Sequence, residues 1–522
     1  MNRLLPALLA ALVLGVLVAF GFAPYGLWPL ALFGYAGLAL LLSKCTRPWR
    51  AAAIGWCFGL GQFVLGLDWI ATAFTFQAKM PAWLGGGAVV LLSLYLAVYP
   101  ALAALGAWWA TRRIGGGAAT LSLSLGAAWA IAEWLRATMF TGFPWNPASV
   151  AFVDLPIAQV AKITGTYALS GLIVASAGFI LILAMRPRES LGRRALLSRA
   201  NVPAAIGLVL LVGCYGAPAL LQLARPPARP TDGTGPLVHV VQPDIGQDER
   251  WAPRLSAKHL LRLQALSGAP RAQPRLVLWP ESGIEDDIAE DPVAAARLAA
   301  MLGPRDILLG GGEYPERDRA GTLIAARNSV FAIGAGGDIL ARYDKAHLVP
   351  YGEYLPMRPL LSLIGVSRLV PGDLDFWPGP GPRTLTLPGF APVGVQICYE
   401  MVFSGHVVDE AHRPAFLFNP SNDAWFGRAG PPQHLAQARL RAIEEGLPVA
   451  RATTNGVSAI IGPDGAIAQV IAAHSVGLMA QRMPAADPPT LFARIGNWAV
   501  LLIALLLGGL AIPAGRYKES FI

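Results

Sequence analysis

The stretch Ala391-Pro-Val-Gly-Val-Gln-Ile-Cys-Tyr-Glu400 decides how this chain folds. Its apolar run over 391–397 reads as a buried strand, and it stops on a thiol followed by a tyrosine and a carboxylate. Two further segments have the same character: Leu276-Val-Leu-Trp-Pro-Glu-Ser282, and Tyr343-Asp-Lys-Ala-His-Leu-Val-Pro-Tyr-Gly-Glu-Tyr-Leu-Pro356. Each sets a reactive polar group at or just beyond a hydrophobic strand, which is where α/β proteins assemble active sites. A thioester route to acyl transfer needs a thiolate, a cation beside it and a base that takes and returns a proton. Cys398, Lys345 and Glu281 are those three residue types. Lys345 is expected to lower the thiol pKa and to hold a tetrahedral oxyanion, with the Tyr399 backbone N–H as a second donor. Taken alone, an isolated cysteine reads equally well as a small buried hydrophobe. The other three, Cys45, Cys57 and Cys214, fall at an apolar helix end or within apolar helices, so none is expected to pair with Cys398.

Working outward, short apolar runs separated by turns fill the chain from residue 237 to about 475. Strands are expected at Leu237–Val241, Leu276–Trp279, Ile307–Leu309, Ser329–Ile333, Val393–Cys398, Ala415–Phe418 and Ser458–Ile461. Gly334-Ala-Gly-Gly-Asp338 and Gly462-Pro-Asp-Gly465 read as hairpin turns, and helices are expected at 253–267, 292–302 and 433–446. Strands alternating with helices imply an α/β domain covered on both faces, spanning 237–490. The Pro- and Gly-rich 224–236 is a linker. Between Lys345 and Cys398 lies an arm, about 355–378, that is too apolar for a water-exposed loop. A core segment, a partner contact and an arm dipping into a lipid leaflet are all open, the last being preferred.

The remaining sequence is apolar to a degree that excludes an ordinary soluble protein: 54% hydrophobic and 14% charged. Eight stretches can span a bilayer, at 4–22, 27–43, 51–70, 87–110, 118–139, 163–185, 203–223 and 494–513. The first is expected to be an uncleaved span, because Phe20-Gly21-Phe22-Ala23-Pro24 is a poor signal-peptide site. With the N-terminus cytoplasmic, one set of ends carries thirteen Lys and Arg, and the opposite loops hold Lys79 and Lys162. The positive-inside rule then places both termini in the cytoplasm and the α/β domain on the outer side after seven spans. The net charge of +9 follows from those loops and not from nucleic-acid binding. Within the spans, Glu133 and Arg136 can pair near an outer helix end, and Trp28, Trp69, Trp83 and Trp145 fit an interfacial aromatic belt. His347 reads as a structural hydrogen-bonding residue, and His434 as a cap or surface group.

The three motifs together resemble the nitrilase superfamily, whose Glu-Lys-Cys triad occurs in this order and in these local contexts. Flanked by apolar helices, the whole chain looks like a member of the apolipoprotein N-acyltransferase family. The resemblance implies a multi-span α-helical membrane domain joined to a nitrilase-like αββα sandwich, in a bacterial inner membrane with a periplasmic active site. It implies a ping-pong reaction in which Cys398 takes an acyl chain from a phospholipid, typically the sn-1 chain of phosphatidylethanolamine. The acyl group then passes to the amine of a diacylglyceryl-cysteine apolipoprotein, with Glu281 as base. It also implicates Glu353, Tyr399, Glu400 and Trp251 in positioning or substrate handling. No metal, cofactor or nucleic acid is called for, and a monomer is expected. The competing readings are a membrane-tethered nitrilase-type amidase, for which so many spans are superfluous, and a transporter, which would carry charges through mid-span.

Overall fold

The computed structural model describes residues 4–76, 81–185, 202–224, 235–250, 252–361, 363 and 374–516. Trp251, most of the expected linker and the middle of the apolar arm lie outside them. The chain forms two compact units. Met1–Asp68, Gly86–Ala228 and Pro489–Ile522 make a helical unit; Trp69–Gly85 and Arg229–Pro488 make an α/β unit.

Helices occupy all eight of the apolar stretches. They are α1 (Leu4–Ala19), α2 (Trp28–Ser43), α3 (Pro48–Gly66), α4 (Trp83–Ile114), α5 (Ala118–Thr138), α6 (Ala161–Ala184), α7 (Ala205–Leu221) and a last helix, Trp498–Ala514. Among the described residues three are long and apolar enough to cross a membrane: α4, α5 and Pro156–Ala184, which contains α6. Glycine allows the close packing of this unit. A Cβ on Gly15 of α1 would lie 1.9 Å from the Phe58 carbonyl of α3, and one on Gly61 would lie 2.1 Å from the Leu12 carbonyl. Backbones approach this closely only where a side chain is missing.

Glu133 and Arg136 are both buried and act on each other electrostatically, while their hydrogen bonds go to α5 itself and to the loop that follows it. Glu133 Oε1 accepts from Trp129 Nε1 at 2.8 Å and from the Ala148 N–H at 2.9 Å, while Arg136 donates to the Phe143 and Trp145 carbonyls. Trp145 is fully buried, so it is no belt residue. Trp69 is not one either: it belongs to the α/β unit, where it meets Phe426 edge-on at 4.7 Å.

Among the described residues the α/β unit holds two six-stranded sheets. The first contains β1 (Leu237–Gln242), β2 (Arg275–Leu278), β3 (Ile307–Arg317), β4 (Leu323–Gly334), β5 (Ile339–Asp344) and β12 (Gly477–Arg482), in the order β12-β1-β2-β3-β4-β5. The second runs β11-β10-β9-β8-β7-β6, from β6 (Thr384–Leu385), β7 (Val393–Val395), β8 (Phe416–Ser421), β9 (Val449–Thr453), β10 (Ser458–Ile461) and β11 (Ile467–Ile471). β1, β2 and β3 pair in parallel, as do β7, β8 and β9.

Alternation decides which residues face which layer. Val238, Val240, Leu276 and Leu278 share one core with Val393, Val395, Phe416, Phe418 and Ile460, so the two sheets lie face to face. The opposite face of the first sheet, with Val241, Val277 and Trp279, packs on α8 (Ser256–Leu266) and α9 (Pro292–Ala299). That of the second, with Leu417, Val449 and Ala459, packs on α10 (Gly430–Glu445). The result is the expected αββα sandwich. Both hairpins form at the expected turns, joining β4 to β5 and β10 to β11. The unexpected strands are β6, β9 and β12. The middle of β9 is Arg451, a buried charge that interrupts its apolar reading.

Gly15→Val and Gly61→Val are each expected to lower the thermal midpoint of detergent-purified protein, since overpacking costs about 1–3 kcal/mol. Gly508→Ala, with nothing within 4 Å of the added Cβ, should not lower the midpoint.

Candidate active site

Glu281 follows β2, Lys345 follows β5 and Cys398 follows β7, so strand ends from both sheets deliver the three groups to one place. All three are buried, Lys345 to 1% exposure. Lys345 Nζ donates to Glu353 Oε1 at 2.8 Å and lies 3.5 Å from Glu281 Oε1. Asn328, from the middle of β4, bridges the two carboxylates through its Nδ2, which donates to Glu281 at 2.7 Å and to Glu353 at 2.8 Å. The second oxygen of Glu281 accepts from the Asn422 N–H at 2.7 Å, and that of Glu353 from the Val349 N–H at 2.7 Å. Glu353 is therefore no surface carboxylate. It is the closer ionic partner of the lysine.

Two tight turns present Glu281 and Cys398. Ser282, next to Glu281, and Cys398 have φ of 57° and 50°. For residues with a Cβ this left-handed region costs roughly 1–2 kcal/mol, a strain held by the surrounding bonds. The Glu281 turn rests directly on β3 at Gly311, where the Ile284 N–H donates to the Gly311 carbonyl at 2.8 Å. A Cβ on Gly311 would lie 2.7 Å from both Glu281 Cα and the Ser282 nitrogen.

Glu400 ties the lysine loop to the nucleophile turn. Its Oε1 accepts from Tyr343 OH and the Ala346 and His347 N–H groups, and its Oε2 from the Ile397 N–H at 2.7 Å. It thus orients Lys345 through the loop backbone and not by touching the ammonium. The His347 ring stacks on Phe403, with centroids 3.7 Å apart, in keeping with a structural role. Tyr399 lies within the short turn Cys398–Val402 and packs edge-on against Phe403.

The electrostatics assign protonation states. Burial alone would raise the Glu281 pKa, but Lys345 and the hydrogen bonds from Asn328 and Asn422 leave it below the ordinary value. Burial opposes the Lys345 charge too, and Glu353 and Glu281 reverse this, raising its pKa. The thiol departs from expectation. Lys345 does pull its pKa down, but burial and the Glu281 charge outweigh that pull and leave it well above the usual value. Cys398 is therefore a thiol at rest, beside an ionised carboxylate able to accept its proton. Burial pushes Glu400 up to about 7.

Asn328, Asn422 and His434 were missed in the sequence. Asn422 falls in Asn419-Pro-Ser-Asn-Asp423, a polar stretch ending an apolar strand, the same signal that marked Glu281 and Cys398. His434 is neither a cap nor a surface group. It is fully buried, with Nε2 donating to the Cys398 carbonyl at 3.1 Å. Among the described residues no three His, Cys, Asp or Glu side chains are arranged to hold a metal ion.

Gly311→Ala should displace Glu281 and reduce turnover by at least about tenfold, with a much smaller effect on the circular-dichroism spectrum. Glu400 gives a pH effect of definite sign. A carboxyl group with a higher pKa folded than unfolded takes up a proton on folding, so its contribution favours the folded state in acid. That contribution is lost as the pH climbs from the ordinary carboxylate range towards 7. Between about pH 5 and 7 the wild-type thermal midpoint should fall, and Glu400→Gln should remove that part of the slope. Glu445, also pushed up to about 7, remains in both proteins.

Comparison with known proteins identifies the family. Residues 14–179 match the apolipoprotein N-acyltransferase N-terminal domain, and residues 237–480 match the carbon-nitrogen hydrolase family. The apolipoprotein N-acyltransferase of Rhodopseudomonas palustris is 34% identical over 515 residues, covering 95% of this chain and 93% of that protein. The one from Bradyrhizobium diazoefficiens is 35% identical with the same coverage. Among solved structures, Saccharomyces cerevisiae Nit3, a member of branch 10 of the nitrilase superfamily, aligns with 49% of this chain and 92% of its own. Its identity is 18% and its TM-score 0.34, too low to add to the assignment. On the two matched domains and the full-length relatives, this chain belongs to the apolipoprotein N-acyltransferase family.

Proposed function

We propose that this membrane acyltransferase works by a ping-pong route through a thioester on Cys398. The observation that carries the proposal is the buried cluster in which the Glu281 and Lys345 charges act on the Cys398 thiol while Glu353 holds the lysine. Glu281 takes the thiol proton as sulfur attacks the ester carbonyl of a phospholipid, the sn-1 ester of phosphatidylethanolamine being the preferred donor. The tetrahedral oxyanion is held by Lys345 Nζ and the Tyr399 N–H. Its collapse breaks the acyl C–O bond, and the leaving alkoxide takes the proton from Glu281 to depart as lysophospholipid. In the second half, the α-amine of a diacylglyceryl-cysteine apolipoprotein attacks the thioester carbonyl. Glu281 accepts the amine proton, the C–S bond breaks, and the returning proton restores the thiol beside the new amide.

Burial suits this sequence of steps, because water reaching the thioester would hydrolyse it. Glu353 holds the lysine, Glu400 holds the turn, and Trp251 acts in substrate handling. The apolar composition of 355–378 suits contact with the outer leaflet, where both substrates reside. The thirteen-to-two charge asymmetry supports a multi-pass inner-membrane protein with cytoplasmic termini and a periplasmic α/β domain, acting as a monomer.

Intact-mass spectrometry after incubation with phosphatidylethanolamine tests the route. Wild type should gain one acyl mass, Cys398→Ala none, and a diacylated lipopeptide should discharge the adduct. Cys398-dependent hydrolysis of small amides without any lipid adduct would favour a tethered amidase instead.

A further inference from the structure

The His434 contact with the nucleophile's backbone has a chemical consequence. A carbonyl oxygen can only accept, so the Nε2 that lies 3.1 Å from the Cys398 oxygen carries the ring proton. Arg451 Nη2, which can only donate, lies 3.0 Å from Nδ1, so a neutral ring accepts there. Burial, with Arg451 adding to it, lowers the His434 pKa and keeps that neutral form. Arg451 is itself immobilised: it donates to both oxygens of Asp423, at 2.8 and 2.7 Å, and to Asn419 Oδ1 and Ser421 Oγ at the end of β8. Asp423 Oδ1 also lies 3.2 Å from Nδ1, and Phe426 packs edge-on against the ring at 5.8 Å. Whichever of these Nδ1 engages, the Cys398 carbonyl requires a proton on Nε2, and the fixed neighbours set the ring orientation.

The same face of α10 makes further bonds to this turn. Arg441, seven residues on, donates from Nη1 to the Val402 carbonyl at 3.0 Å, and Glu444 accepts from Ser404 Oγ at 2.7 Å. One helix therefore grips the nucleophile turn at residues 398, 402 and 404. The first of these grips falls on the residue with φ 50°.

The Cys398 C=O and the Tyr399 N–H belong to one planar peptide unit, so fixing the oxygen fixes the direction of the N–H. A donor on the oxygen also polarises the amide and strengthens the N–H as a donor. We propose that His434 is a positioning residue that aims and polarises the Tyr399 N–H towards the oxyanion formed at Cys398. This rests on the thioester reading above.

The test uses full-length protein in detergent and compares two reactions of the same thiol. Alkylation by iodoacetamide displaces iodide at a saturated carbon and builds no oxyanion; acylation by phosphatidylethanolamine does build one. His434→Leu should slow single-turnover acylation about 30- to 100-fold, somewhat less than loss of an oxyanion donor itself. Its half-saturating lipid concentration and its alkylation rate should stay within about twofold of wild type. His434→Gln, whose Nε2 can reach the same carbonyl, should recover most of the acylation rate. His434→Phe keeps a ring beside Phe426 but lacks the donor, so it should behave like the leucine variant and guards against that variant misfolding. Wild-type acylation in either donorless variant, a parallel fall in alkylation, or no rescue by glutamine would overturn the proposal. Failure of wild type itself to form the adduct would overturn the thioester reading beneath it, a separate outcome.

Discussion

An ammonium group buried between two carboxylates is the constraint on which the α/β unit depends. Removing Lys345 from water costs several kcal/mol, which the protein offsets only with close, well-bonded partners. Glu353 is the nearer at 2.8 Å and Glu281 the further at 3.5 Å. Two carboxylates against one ammonium would leave surplus negative charge, and Asn328, the Asn422 and Val349 N–H groups and the more distant Arg250 charge act on those oxygens. The inequality of the two contacts divides the labour. Glu353 is committed to the lysine, whereas Glu281 stays ionised with only a looser hold on it, as a proton acceptor should.

That cluster dictates where the chain must be tight. The Glu281 turn approaches β3 so closely that position 311 has no room for a side chain. The nucleophile turn, strained at Cys398, is held on one side by Glu400 and on the other by the polar face of α10. A strained residue persists only where its surroundings over-determine it. Here hydrogen bonds to the carbonyls of Cys398 and Val402 and to the Ile397 N–H do so. The resting thiol follows from the same burial, which disfavours the thiolate.

In the helical unit close approach replaces charge as the organising constraint. Between lipid-facing helices there is no hydrophobic gain to drive association, so packing falls to small residues and buried polar anchors. Gly15 and Gly61 supply the first. Glu133 and Arg136 supply the second, pinning the loop through Trp145 against its own helix.

Much of this was legible from residues alone, because it follows from local pattern. Apolar runs long enough for helices, period-two strands, hairpin turns and three strand-end motifs are all statements about neighbours in sequence. Glu281, Lys345 and Cys398 could be named from such statements, whereas Glu353 and Glu400 were implied only by the family resemblance. What could not be read is what depends on distant segments meeting. Arg451 interrupts the apolar pattern of β9 because its charge is answered by Asp423, 28 residues away. His434 looks like a helix-start residue until α10 is laid against the turn 36 residues before it. Trp69 and Trp145 carry the composition of a lipid interface but are buried by protein. The thiol's protonation state also waited on the fold, since the lysine that should lower its pKa is known from sequence and the burial that outweighs it is not. Sequence by itself determined which chemical groups are present and at which strand ends. Tertiary structure decided their charge, their orientation and their partners, because burial and hydrogen bonding act through space and not along the chain.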